Sequence, residues 1–95
     1  MGERESGQAV VRRILASISA VTLSSPNFHR AGFIIHNDST AVLWGKFDTG
    51  ATSTDFTFRI DPQGSFEHRT GRVYRGLVTG LWDTAQGAAQ VTELL

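Results

Sequence analysis

Ninety-five residues bound the chain to one domain, large enough for a single hydrophobic core and near the size where burial leaves little margin. Nine Lys plus Arg against nine Asp plus Glu give a formal charge of zero, which leaves no global field to draw the chain to nucleic acid or to an anionic membrane. The absence of cysteine removes disulfides, thiolate catalysis and Cys-ligated zinc together. No apolar run approaches the ~20 residues that span a bilayer and no signal segment opens the chain, so a soluble product made in the cytoplasm is expected. Ten glycines with many Thr, Ser, Val and Phe favour strands joined by tight turns.

In chain order, Met1 to Gln8 is polar after Met1 and is expected to be a mobile arm, with a single domain from Ala9 to Leu95. Ala9 to Ala20 carries apolar residues at both helical and strand spacing; the β-branched Ile18, Val21 and Thr22 tip it toward strand. Ser24-Ser25-Pro26-Asn27 is a turn, and Arg30 to His36 a central strand with Phe33 and Ile35 on one face and Ile34 on the other. Asn37 to Thr40 turns the chain, and Ala41 to Lys46 resumes the sheet. Phe47 to Phe56 is the connection of a hairpin, after which Phe56, Phe58 and Ile60 alternate inward against Thr57 and Arg59.

Asp61-Pro62-Gln63-Gly64 has Pro and Gly where a four-residue turn takes them. Ser65 to His68 is a short strand. Val73 to Trp82 is read as a longer one, with Leu77, Thr79 and Leu81 on one face and Val78, Gly80 and Trp82 on the other. Asp83 to Gly87 turns into a last strand, Ala88 to Leu94. Seven or eight short strands at regular spacing predict an all-β fold, a small antiparallel β-sandwich or jelly-roll-like barrel.

Several stretches bear on function. Asp48-Thr49-Gly50-Ala51 resembles the sequence around the catalytic aspartate of aspartic proteases, which implies a retropepsin-like subunit contributing Asp48 to a carboxylate dyad across a dimer. Against it, Lys46 stands two places before Asp48, and the polar Thr52-Ser53-Thr54-Asp55 after it suits an exposed loop; Asp48, Thr49, Gly50 and Thr52 are then loop residues. His29, His36 and His68 lie at no metal-ligating spacing, so neither metal nor cofactor is expected. Trp44, Tyr74 and Trp82 could stack on a host glycan, although such residues in strands more often serve a core or an interface. Arg69, Arg72 and Arg75 form a local basic cluster.

From Asn27 to Leu94 the chain carries a run of phrases in fixed order: Asn27-x-x-Arg30; Ile34-Ile35-His36-Asn37-Asp38-Ser39-Thr40-Ala41-Val42-Leu43; Gly50-Ala51-Thr52-Ser53 leading to Phe56-Thr57-Phe58; Pro62-x-Gly64-x-Phe66-Glu67; Tyr74-x-Gly76; Gly80-Leu81-Trp82; and Gly87-x-Ala89-x-Val91-Thr92-Glu93-Leu94. In these the chain resembles small accessory proteins of tailed bacteriophages. The resemblance implies a non-enzymatic virion structural protein of the capsid-decoration or head-fibre type. Its partner would be the major capsid protein or another virion component, and it would assemble as a symmetric homo-oligomer such as a trimer. Arg72, Tyr74, Arg75, Leu77, Leu81 and Trp82 are the candidate interface. The chain departs from the pattern at Lys46 to Thr49 and at His68 to Arg72, where individual function is expected.

Overall fold

Period-two alternation of apolar and polar residues resolves into eight strands and no helix in the computed structural model, which describes residues 7–69 and 72–95. They are β1 (Ala9–Leu15), β2 (Val21–Ser24), β3 (Gly32–Asp38), β4 (Leu43–Lys46), β5 (Phe58–Ile60), β6 (Ser65–His68), β7 (Val78–Trp82) and β8 (Ala88–Leu94). One sheet has the order β1-β8-β3-β6 and the other β2-β7-β4-β5, with every pairing antiparallel. The β4–β5 hairpin stays within a sheet, and each other connection passes from one sheet to the other. This is the strand order of an eight-stranded jelly roll, the expected all-β sandwich.

The two inner faces meet in one core. Phe33, Ile35, Ala89 and Val91 come from the first sheet; Leu23, Leu43, Phe58, Ile60, Val78 and Trp82 come from the second. Each large side chain so buried contributes about 1.5–3 kcal/mol. Gly45 and Gly80 lie opposite each other on β4 and β7, and their missing side chains leave room that neighbours fill. The Phe58 ring lies over Gly45, and a Cβ on Gly80 would stand 2.7 Å from Leu23 Cδ1. The glycines therefore make space for larger side chains in the core.

A buried amide braces one end of the sandwich. Asn37 Nδ2 donates to the carbonyls of Ala41 (2.7 Å), Ile60 (3.0 Å) and Asp61 (3.2 Å), while its Oδ1 accepts from Ser39 Oγ (2.7 Å) and Trp82 Nε1 (3.0 Å). Together these bonds tie the β3–β4 turn, the β5–β6 turn and the central strand β7. The predicted turn at Asn37 thus begins two residues later, because β3 runs through Asp38.

Other expectations shift for equally local reasons. The Ala9–Ala20 segment is strand only to Leu15, and the chain then crosses to the other sheet. Phe56 does not enter the core: it is 42% exposed and packs on Trp44 at 4.8 Å, outside the sandwich, since β5 starts only at Phe58. The predicted Val73–Trp82 strand forms only from Val78, because Arg30 and His68 bind the backbone of Tyr74 and Gly76 away from any ladder. Of the expected arm, residues 1–6 lie outside the described residues. Gly7 and Gln8 bond the backbone of Leu95, at 3.1 and 2.8 Å.

Candidate functional site

The strand order sorts the connections by end. At the braced end the four loops (residues 16–20, 39–42, 61–64 and 83–87) are four or five residues long. At the other end lie three longer ones, 25–31, 47–57 and 69–77, of seven, eleven and nine residues, beside Gly7 and Leu95. A rigid sandwich with its long loops gathered at one end presents that end to partners.

Arg30 organises it. Its side chain is fully buried, 0% exposed, and every guanidinium donor has a partner. Nε donates to Glu93 Oε2 at 3.1 Å. Nη1 donates to the carbonyls of Tyr74 and Gly76, and Nη2 to Ser24 Oγ and the carbonyl of Ser25, at 2.6–3.1 Å. Glu93, 2% exposed, receives a second bond from Arg12 Nη1 at 2.9 Å. Burial pushes the Glu93 carboxyl up, but the bonds and charges of Arg12 and Arg30 outweigh it and hold the group below the usual carboxylate range. One guanidinium thus fixes the 25–31 loop, the 69–77 loop and β8 together. The Asn27 N–H bond to the Arg75 carbonyl (2.9 Å) and the Arg75 Nε bond to the Arg30 carbonyl (3.1 Å) complete the brace.

A second cluster joins the 69–77 loop to the 47–57 loop. The Tyr74 ring stacks on Phe47 at 4.5 Å, Tyr74 Oη donates to the Leu77 carbonyl, and the Tyr74 N–H donates to His68 Nε2 at 3.0 Å. That last bond requires an unprotonated Nε2. The His68 ring meets Phe33 and Phe47 edge-on or tilted, each at 5.4 Å.

Asp48 sits exposed on the 47–57 loop, where its Oδ1 accepts the Thr49 N–H at 2.7 Å and its carbonyl accepts Thr79 Oγ1 at 2.6 Å. Gly50 takes a left-handed φ of 73°, and Ala51 beside it is buried with its N–H on Thr79 Oγ1. Thr52 and Asp55 close a tight turn, and Asp55 accepts from Lys46 at 2.7 Å. The bond it donates to Asp55 raises the Lys46 ammonium above its usual range. The stretch is an exposed loop pinned to β7 by Thr79.

The candidate interface residues divide. Trp82 is a correction: at 1% exposure its ring belongs to the core, with its indole N–H on Asn37, and no partner can reach it. Tyr74 and Leu77 are half-buried within the loop cluster, Leu81 lies on the outer face of the second sheet across from Trp44, and Arg72 and Arg75 are exposed. Trp44, Tyr74 and Trp82 do not share a surface: Trp44 faces outward beneath Arg59 at 5.2 Å, Tyr74 lies in the loops and Trp82 in the core. His36 bonds Ser65 on the outer face of the first sheet, far in register from the exposed His29, and among the described residues no three His, Asp or Glu side chains could hold a metal ion.

Sequence reasoning missed Phe28, 88% exposed beside Pro26, and the buried Arg30–Glu93 pair. Pro26-Asn27-Phe28 held a signal for the first, an aromatic residue stranded inside turn residues. No periodicity marks the second. Compared with known proteins, the chain matches no protein-family model, no curated protein and no solved structure.

Proposed function

We propose that this chain is a non-enzymatic binding protein that attaches to a partner protein through its long-loop end. On the resemblance of its phrases, we place it among virion accessory proteins of the capsid-decoration or head-fibre type, with the major capsid protein as partner. The observation that carries the reading is the asymmetry of the sandwich. Four short loops close one end, while three long loops at the other display Phe28, Arg72 and Arg75 on a base braced by Arg30. Exposed aromatic and arginine side chains on a rigid base suit protein recognition, because little ordering entropy is lost on docking.

The retropepsin alternative finds less support. Asp48 is exposed and its carboxylate accepts from its own neighbour's N–H, whereas a dyad aspartate lies at a buried seam between subunits. The test is occupancy on particles. Reversing Arg72 and Arg75 to Glu is expected to cost about 1 kcal/mol for the lost Arg75 bond, to leave the chain folded, and to lower the copies per purified particle counted by mass spectrometry. Absence of the wild-type protein from particles would refute the virion assignment; unchanged occupancy of the reversed variant would refute the role of the loop end.

A further inference from the structure

Between the 25–31 and 69–77 loops lies an open groove of about 340 Å³ lined by Pro26, Asn27, Phe28, Arg75 and Gly76. We propose that it is a binding site for a short acidic–aliphatic segment of a partner protein, an aspartate or glutamate carboxylate next to an apolar side chain. This rests on the attachment reading above and assigns the part of the loop end that makes the specific contact.

Three observations select that ligand. The walls are apolar: Pro26 and the exposed Phe28 ring offer an aliphatic side chain a surface that water covers in the free protein. Among the described residues Arg75 is the single charged one in the lining, and none of them in the lining is acidic. Arg75 spends only its Nε, on the Arg30 carbonyl, and no described residue takes its two terminal nitrogens. An arginine oriented through Nε presents those nitrogens as a fork, which matches a carboxylate better than a single-point acceptor. A phosphate would call for more than this one cation in the groove.

Both walls are also built before the ligand arrives. The carbonyl of Ser25, next to Pro26, and those of Tyr74 and Gly76, on either side of Arg75, all bind the one buried Arg30 guanidinium. The Asn27 N–H to Arg75 carbonyl bond spans the floor. A groove braced across its base does not pay to close around its ligand. The volume lies at the small end of ligand sites, room for one side chain and a carboxylate.

The test is a chemical-shift titration of the ¹⁵N-labelled full chain with two capped dipeptides, acetyl-Leu-Asp-amide and acetyl-Leu-Asn-amide. The acidic peptide is expected to move the amides of Phe28, Arg75 and Gly76, and to bind about tenfold tighter than its amide isostere, as one charge-assisted contact provides. Arg75→Gln, which also gives up the Nε bond to the Arg30 carbonyl and so lowers the unfolding midpoint by a few degrees, is expected to abolish that preference in a chain still folded at the titration temperature, and Phe28→Ser to weaken both peptides. Shifts absent from the groove, equal affinity for the two peptides, or a preference that survives Arg75→Gln would each overturn the assignment. Particle occupancy separates the two failures: protein that attaches to particles while ignoring both peptides refutes the groove alone, and peptide binding without attachment refutes the virion reading alone.

Discussion

Replacing Glu93 by Gln tests the brace that holds the long-loop end. The carboxylate meets Arg30 at 3.1 Å and Arg12 at 2.9 Å, and the Arg30 side chain is fully buried. Removing the charge leaves a guanidinium in the interior with carbonyl and hydroxyl partners but no counter-charge, at a cost of about 3–5 kcal/mol. The half-exposed Arg12 adds less than about 1 kcal/mol. Against a net stability of about 5–15 kcal/mol this is a large fraction. In urea, with a slope of about 2 kcal/mol per molar, the midpoint should fall by roughly 2 M.

The gap between the two proteins should also depend on pH. The folded-state carboxyl lies below its ordinary range, so its contribution is complete above the unfolded-state value near about 4.3 and is lost as the pH falls through the folded-state value. Urea melts of both proteins from pH 7 down to pH 3 should show the full gap at neutral pH and a narrowing one below about pH 4.3. A gap under about 1 kcal/mol at pH 7, or one that does not change with pH, would refute a buried, charge-paired Glu93.

At the opposite end, Asn37→Leu keeps the branched shape but strands the Trp82 indole N–H and takes one donor from each of the carbonyls of Ala41, Ile60 and Asp61; a loss of about 2–4 kcal/mol should lower the melting midpoint by at least about 10 °C in calorimetry. Gly45→Ala drives a methyl into the Phe58 ring and should cost about 1–3 kcal/mol in denaturant melts. Asp48→Asn keeps an acceptor for the Thr49 N–H and should change stability by less than about 0.5 kcal/mol; a peptidase activity present in the wild type and absent from this variant would revive the protease reading. His68→Phe removes the acceptor of the Tyr74 N–H, so hydrogen exchange of that amide should speed up, whereas His68→Gln, which retains an acceptor, should keep it protected.

The fold was legible where one physical rule dominated. Phe33 and Ile35 against Ile34, and Val78, Gly80 and Trp82 against Leu81, alternate as a half-buried sheet demands, so faces and strand order along the chain followed from period two. Asp61 to Gly64 turned as its Pro and Gly require, with Gly64 N–H on the Asp61 carbonyl at 2.9 Å. Misreadings arose where a distant partner overrode the local pattern. Arg30 and His68 hold Tyr74 out of a strand that its neighbours favour, and Trp44 offers Phe56 a surface outside the core. The Arg30–Glu93 pair spans 63 positions, and nothing local to either residue announces the other. For the same reason the turn at Ser24 to Asn27 could be named from the sequence, but not the loop around Tyr74 and Arg75, which reads locally as strand, nor the groove between the two.

The place of β1 beside β8 has a kinetic consequence. The first strand of the fold cannot pair until the last exists, so the edge carrying the exposed Val11 and Leu15 stays bare until β8 has been made. Nearly every other pairing joins segments far apart in the chain, which places folding in the slow regime of sheet proteins, on the order of milliseconds to seconds. During that interval a bare, β-branched strand is the segment most open to capture by a chaperone or to pairing with another nascent chain. Yield during synthesis should therefore respond to a charge placed at Val11 far more than the stability of the finished sandwich does.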